Sequence, residues 1–183
     1  GRNAGTVRPR VRCGAVNHVI RDATTADLPA ELDLLNASVL ESVVVYTETP
    51  FTLADRLPWF QAKQTRGFPL LVAESAGDVV GYATYGDFRD SITLPGFRFT
   101  VEHSVHVARA HHGAGLGRAL VEALIRRAGD AGVHVMVGAI DASNVDSIRF
   151  HERLGFVETA RMPEVGHKFG RRLDLVFMQR TIV

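Results

Sequence analysis

The chain has 183 residues, of which 46% are apolar and 22% are charged, a composition typical of one globular domain. Its formal net charge of +1 gives no electrostatic case for nucleic acid as the main partner. A single cysteine, Cys13, excludes an internal disulfide framework, and no apolar run approaches the roughly 20 residues of a membrane helix. Residues 1–18 are basic and lack an apolar signal core. We therefore expect a flexible basic extension over 1–18, one domain over 19–183, and a cytoplasmic location.

Hydrophobic spacing and turn residues predict eleven elements, in the order β-α-α-β-β-β-α-β-α-β-β. The first six are a strand over 19–23, a helix from Thr24 or Asp27 to near Ser42, a helix over 53–65, a hairpin of strands 70–74 and 79–85, and a long strand over 97–107. Loops over 46–50 and 89–96 separate them. The order predicts an α/β domain in which helices cover the faces of a mixed sheet.

The second half begins with a glycine turn that leads into a helix, starting at Leu116 and ending before Gly132. The remaining predicted elements are a buried strand over 133–140, a helix over 144–154, and strands over 157–162 and 173–181 on either side of a loop at 165–170. No internal repeat or low-complexity linker interrupts this order.

Gly113, Gly115 and Gly117 stand at every second position between the long strand and the next helix. Their small size lets the backbone approach a ligand closely, and the start of a helix adds unpaired N–H groups, so the turn predicts an anion site. A P-loop would need lysine after the last glycine, and a dinucleotide-binding turn would need its third glycine where Arg118 stands. The turn is therefore predicted to bind another phosphate-bearing ligand, through the N–H groups of 112–118 and the Arg118 guanidinium.

Glu102 lies in the middle of the long strand, an unusual place for a charged residue that has no structural or catalytic role. Strand alternation sends Glu102, Ser104 and His106 to one face and His103, Val105 and Val107 to the other. The carboxylate is either paired with a neighbouring arginine or acts as a general base, and a base would need burial to raise its pKa from about 4.3.

Two motifs resemble the GNAT superfamily of acyl-CoA N-acyltransferases. They are the glycine run 112–117 and the segment 144–156, which contains Ser147-Ile148-Arg149-Phe150-His151 and ends in Leu154-Gly155-Phe156. The resemblance covers residues 19 to the C-terminus and implies a single-domain fold that uses acetyl-CoA and no metal. The segments 97–104, 134–137 and 166–170 resemble a subgroup, the bacterial phosphinothricin and methionine sulfone/sulfoximine N-acetyltransferases. That subgroup acetylates the α-amine of small amino-acid analogues, and its members are generally homodimers with a site near the subunit interface.

The resemblance implies Glu102 as catalytic base and His151 as a second catalytic group that protonates the leaving thiolate. A plain helix histidine bonded to the backbone is the alternative for His151. Cofactor contacts are expected from three segments: Val105, His106, Val107, His112, Gly113, Ala114, Gly115, Leu116, Gly117, Arg118, Asn144 and Ser147. The subgroup commonly has tyrosine where His106 stands, and the superfamily usually has glutamine or arginine where His112 stands. Asn144 is expected to cap the last helix, to bond the pantetheine amide, or both.

An amino-acid substrate also needs a group that holds its carboxylate, and a guanidinium can do so with two bonds. The expected substrate contacts are Tyr46, Arg89, Arg98, Lys168 and Phe169, where surface or core roles are the alternatives. The expected function is acetyl transfer from acetyl-CoA to a small amino acid, without nucleic acid or membrane partners. Rival functions are acetylation of protein N-termini or polyamines, and a non-catalytic acyl-CoA sensor.

Overall fold

The computed structural model describes residues 18–182, which form one seven-stranded sheet with four helices on its faces. The strands are β1 (Val19–Asp22), β2 (Leu70–Ser75), β3 (Asp78–Asp87), β4 (Thr100–Val107), β5 (Val135–Asp141), β6 (Val157–Lys168) and β7 (Arg171–Thr181). Their spatial order is β1-β2-β3-β4-β5-β7-β6. The pair β4–β5 is parallel and the other neighbours are antiparallel. This is the mixed α/β sheet that the element order predicts.

The helices are α1 (Leu28–Glu41), α2 (Leu53–Thr65), α3 (Leu116–Asp130) and α4 (Val145–Arg153). Thr52 and Asp55 form a reciprocal capping box that starts α2. The Asn144 side chain accepts a hydrogen bond from the Ser147 N–H at 3.1 Å and starts α4. None of the helices within 18–182 is long and apolar enough to cross a membrane.

The two faces of the sheet carry separate hydrophobic clusters. On one face, Leu28 and Leu35 of α1 and Phe60 of α2 pack on Val72 and Tyr82. On the other face, α3 and α4 pack on alternate residues of the same strands, among them Leu71, Ala83, Val101, Leu120, Leu124 and Ile148. Alternation along β4 therefore turns odd-numbered side chains toward α3 and α4, and even-numbered ones toward α1 and α2.

Most predicted elements are confirmed, and α2 has the predicted bounds. Several strand bounds differ from the prediction by one or two residues, and two were wrong by three or more. Residues 97–99 do not belong to β4, because a 3₁₀ turn at Pro95–Phe97 holds the chain and the strand begins at Thr100. Residues 165–168 are strand rather than loop, because β6 and β7 stay paired to a tight turn at Phe169 and Gly170, both with positive φ. The expected extension over 1–18 lies outside the described residues except for His18.

Candidate active site

The site lies where β4 and β5 separate. The two strands pair over 100–103 and 135–138, and β4 then continues to Val107 beside β3 alone. The Ala108 N–H donates to the Val80 carbonyl at 2.8 Å and so points toward β3. Because successive strand amides point to opposite sides, the N–H groups of Val105 and Val107 point into the opening between β4 and β5. Two strand N–H donors, which no neighbouring strand within residues 18–182 pairs with, therefore line this opening.

The glycine turn closes one end of the opening. Gly113 and Gly115 have φ of 78° and 80°, a backbone shape that other residues rarely adopt, and α3 starts directly after them. A groove of about 610 Å³ runs between this turn and α4. Its walls include Val105, Val107, the glycine turn and Phe150. The start of a helix beside free amides is a favourable place for phosphate.

Two side chains of the turn are already engaged. His112 Nε2 contacts the Val107 carbonyl at 2.8 Å, and since a carbonyl only accepts, this nitrogen carries the hydrogen. The bond ties the turn to the end of β4, a role for the His112 side chain that the sequence did not indicate. Arg118 bonds Glu122 at 2.8 Å on the surface of α3, yet it also lines the groove. Ala114 is exposed and does not line the groove.

A second cavity of about 460 Å³ lies on the other side of the opening and joins the groove, since Val105, Asn144 and Ser147 line both. Glu102, half-buried on β4, lies in its wall. Within residues 18–182 its carboxylate makes no hydrogen bond or ion pair, so the arginine pairing considered for it is not formed there. Burial raises the pKa of the Glu102 carboxyl above its usual range. A carboxylate in this state is a stronger base than an exposed one.

His151 of α4 also lines this cavity and is buried. Its Nδ1 lies 2.7 Å from the Ser147 carbonyl oxygen, and its Nε2 lies 3.2 Å from Nε2 of His103. The backbone bond considered as an alternative is therefore formed. Burial lowers the pKa of both imidazoles, for His103 to about 3. Both ring nitrogens of His151 are occupied, which leaves neither free to protonate a thiolate in this arrangement.

His106 faces the α1 side of β4, opposite to His103. Its Nδ1 lies 3.0 Å from Ser38 Oγ, and its ring stacks on Tyr82 with centroids 5.0 Å apart. Burial, helped by the nearby charge of Arg56, lowers the pKa of His106 to about 4, so the ring is neutral at pH 7. Because strand amides alternate, the backbone N–H of His106 points toward β3. Unlike the N–H groups of Val105 and Val107, it does not face the opening between β4 and β5.

Among the described residues, the cavity wall contains one basic side chain of the lysine or arginine type, that of Arg56 in α2. It was not identified from the sequence. Its Nε donates to Glu31 at 3.1 Å, Nη2 donates to the same carboxylate, and the guanidinium lies 3.4 Å from the centroid of Trp59. Within residues 18–182, Nη1 has no hydrogen-bond partner and is not among the fully enclosed polar atoms. Nη1 is therefore not fully enclosed, on a side chain that lines the cavity.

Tyr46 lies in the cavity wall, as expected. Its hydroxyl oxygen is 2.8 Å from Asp141 Oδ2, to which it donates, and burial together with this bond raises the pKa of the phenol. Gly166 of β6 lies directly behind the ring, and a Cβ at that position would overlap the ring of Tyr46. The glycine in β6 is therefore required by the wall of the cavity.

The structure does not bring the other four expected substrate contacts to the cavity of their own chain. Lys168 is fully buried and donates to the carbonyls of Val39, Ser42 and Val45 at 2.6–2.7 Å, which uses all three of its N–H bonds. It therefore fastens the end of α1 and is not positioned to contact a substrate. Phe169 is exposed at the β6–β7 turn.

Arg89 and Arg98 are exposed in the segment between β3 and β4. The Arg89 guanidinium lies 5.7 Å from the Phe97 ring, and Arg98 donates to the Pro95 carbonyl at 2.9 Å. Neither side chain reaches the cavity in one chain. No group of three or more metal-ligating side chains occurs within 18–182.

The comparisons agree with this architecture. A methionine sulfoximine/methionine sulfone acetyltransferase of Pseudomonas paraeruginosa is 52% identical over 89% of this chain and 94% of its own. The structure of YncA from Salmonella typhimurium with its cofactor acetyl-CoA matches with a TM-score of 0.87 at 47% identity, over 91% of this chain and 95% of the other. The structure of a ribosomal-protein-alanine N-acetyltransferase from Brucella melitensis matches with a TM-score of 0.86 at 45% identity, over 89% and 99%. The model of the Acetyltransferase (GNAT) family matches residues 32–156. The chain belongs to the GNAT acetyltransferase family.

Proposed function

We propose that this protein transfers the acetyl group of acetyl-CoA to the α-amine of a small amino acid of the methionine sulfone, methionine sulfoximine or phosphinothricin type. The observation that carries the proposal is the unpaired, half-buried carboxylate of Glu102 in a cavity that joins the phosphate groove. The 52% identical relative is named for the first two of these substrates. The cavity volume of about 460 Å³ suits a molecule of that size.

The groove supplies the groups that acetyl-CoA needs. The backbone N–H groups of the glycine turn and the start of α3 receive the pyrophosphate. The free N–H groups of Val105 and Val107 receive the pantetheine arm and the thioester carbonyl. Asn144 caps α4 through its oxygen, which leaves its amide N–H₂ for the pantetheine chain. Arg118, on the outer wall, adds positive charge.

Glu102 then acts on the acceptor. An α-amine is an ammonium ion at neutral pH and cannot attack until it loses a proton, which Glu102 accepts directly or through water. The free amine attacks the thioester carbon, and a strand amide stabilises the oxyanion. The nitrogen of this adduct gives up its second proton to water, and the C–S bond breaks as the amide forms. The CoA thiolate leaves and takes up a proton from the Glu102 carboxyl or from water. His151 forms the wall beside this reaction.

Two sources of positive charge are candidates for the acceptor's carboxylate. Arg56 belongs to the cavity itself, and its free Nη1 supports a direct bond. Arg89 and Arg98 lie in the exposed segment before β4. They could bind the acceptor's carboxylate only if this segment of a second subunit reached the cavity.

We propose a homodimer on this basis. Ile92, Leu94, Phe97 and Phe99 expose apolar side chains on the same segment, and β6 is an exposed edge strand. Light scattering after size exclusion tests the mass of the assembly, and a monomer would leave Arg56 as the carboxylate partner. The proposed location is the cytoplasm, where acetyl-CoA is available.

One other acceptor is favoured by a specific observation, since the Brucella melitensis neighbour is named a ribosomal-protein-alanine N-acetyltransferase. A thiol-release assay with acetyl-CoA decides between the two. The panel contains methionine sulfone, methionine sulfoximine, phosphinothricin, spermidine and a short peptide that begins with alanine. We expect turnover of the free amino acids and little turnover of the peptide. Turnover of the peptide alone would overturn the proposal, and acetyl-CoA binding without turnover of any amine would favour a sensor.

A further inference from the structure

Two histidines from different elements form a buried pair that the catalytic proposal does not use. His103 of β4 and His151 of α4 are only 5% and 4% exposed, and their Nε2 atoms lie 3.2 Å apart. That distance is a hydrogen bond, so one nitrogen carries a hydrogen and the other a lone pair.

A single backbone carbonyl determines which of the two Nε2 atoms is the donor and which is the acceptor. The Ser147 carbonyl can only accept, so His151 Nδ1, at 2.7 Å, must carry the hydrogen. In a neutral ring, His151 Nε2 then has a lone pair, and the hydrogen of the Nε2···Nε2 bond must belong to His103. His103 Nδ1 is consequently bare, and it is buried without a partner among residues 18–182. Both tautomers follow from one contact.

The fit around the pair is close. A Cβ on Gly138 would lie 3.1 Å from His103 Nε2 and 3.3 Å from His151 Nε2, so a larger residue there would push the rings aside by a few tenths of an ångström. The Phe156 ring lies 5.3 Å from both imidazole rings, and Phe150 lies edge-on to His151 at 5.1 Å. Two phenylalanine rings therefore pack against the pair.

No charged side chain within the described part of the chain bonds to either ring. The charged groups that line the shared cavity are Glu102 of β4, Asp141 of β5 and Arg56 of α2, together with the neutral ring of His106. Asp141 already accepts from Tyr46 and from Ser143. Burial thus favours the neutral rings, and no carboxylate within residues 18–182 bonds to either of them.

We propose that His103 is a positioning residue: its Nε2–H occupies the lone pair of His151 Nε2 and so holds His151 as a fixed, uncharged wall of the cavity. If this wall became cationic, it would repel the ammonium group of the acceptor. The kinetic consequence rests on the proposed function, whereas the tautomers and the titration of His151 do not.

Removal of the His103 donor should raise the pKa of His151. The neutral His151 ring accepts a bond from the Nε2–H of His103, whereas the cationic ring, whose Nε2 itself carries a hydrogen, forms no bond with that tautomer of His103. We expect His103→Leu to raise the pKa of His151 by about 0.5–1 unit, and His103→Gln, which keeps an N–H donor, to restore most of the original value. Titration of the imidazole ¹H and ¹⁵N resonances by NMR measures this without any substrate. His134→Gln, at an exposed position, is the control and should leave the His151 titration unchanged.

Kinetics supply a second readout. At pH 6 the KM for the amine should rise in His103→Leu, by at most the roughly three- to tenfold that a pKa shift of about 0.5–1 unit allows, while kcat and the KM for acetyl-CoA stay within about twofold. His103→Gln should follow the parent protein. An equal loss at all pH values in both variants would indicate a merely structural role and overturn the proposal.

The wild-type protein decides the matter if His103→Leu does not fold. The ¹⁵N shifts should show His151 protonated at Nδ1 and His103 protonated at Nε2. The opposite tautomer at either ring, or an unmoved His151 pKa in a folded His103→Leu, would overturn the proposal. Failure of the protein to acetylate amino acids would instead reject the proposed function and leave these resonances as expected.

Discussion

Replacement of Gly138 by alanine tests how tightly the centre of the site is packed. The added methyl would lie 3.1 and 3.3 Å from the two imidazole nitrogens, where ordinary contacts begin near 3.4 Å. His151 is fixed by the Ser147 carbonyl and His103 by Phe156, so neither ring can withdraw without losing a contact. Overpacking of this kind costs about 1–3 kcal/mol, and the stiffer unfolded chain returns about 0.4–1 kcal/mol. We expect a net loss of about 1–2 kcal/mol.

Urea unfolding followed by circular dichroism measures this loss as a lower midpoint at an unchanged slope. The melting temperature should fall by about 2–8 °C, at about 2–4 °C per kcal/mol for a domain of this size. Gly129→Ala is the matched control, because its methyl would meet Ile182 at an ordinary 3.4 Å and alanine favours the helix there. Equal stability of the Gly138→Ala and Gly129→Ala variants would refute the close His103–His151 contact.

Three further substitutions follow from other contacts. Arg56→Met should cost about 3–5 kcal/mol, because it leaves the fully buried Glu31 carboxylate without its ion-pair partner. Adding Glu31→Gln should recover much of this loss in urea unfolding, and equal stability of the single and double variants would contradict it. Between pH 6.5 and about 4 the unfolded chain binds a proton at His106 that the folded chain does not, so the free energy of unfolding decreases as the pH is lowered. His106→Gln should flatten that slope by up to about 1.4 kcal/mol per pH unit, and an unchanged slope would exclude a buried neutral ring. Gly166→Ala should displace the Tyr46 ring and raise the KM for the amine while the KM for acetyl-CoA is kept, and unchanged kinetics would remove Tyr46 from the cavity wall.

The local features of the fold were predictable because short-range patterns produce them. The apolar spacing of α2, the turn at Gly113 and Gly115, and the cap at Asn144 each depend on a few neighbouring residues. The loop predicted at 165–168 was wrong because its conformation depends on a long-range contact. Gly166 resembles a loop residue in sequence, but it is required by Tyr46, which lies 120 residues earlier.

The directions of the site's side chains were predictable along β4, whereas the contacts that involve α2, α4 and β6 were not. Alternation correctly placed Glu102 and His103 on opposite faces, but no local pattern links His103 to a partner in α4, 48 residues away. Arg56 resembles any charged residue of an amphipathic helix until the fold encloses it beside Trp59. Lys168 carries the same charge as a substrate-binding lysine, and only the three carbonyls around it reveal its structural role.

The most direct test of the central claim is the pH dependence of acetyl transfer to methionine sulfone by the wild-type and Glu102→Gln proteins. Burial raises the pKa of Glu102, so the wild-type kcat/KM should fall on the acidic side at a pH above 4.5, the ordinary value for this group. Glu102→Gln should lose at least about tenfold in turnover at pH 7 while the KM for acetyl-CoA is unchanged, and Glu41→Gln, at an exposed position, should match the wild type. Unchanged turnover of Glu102→Gln across the whole pH range would contradict Glu102 as the base.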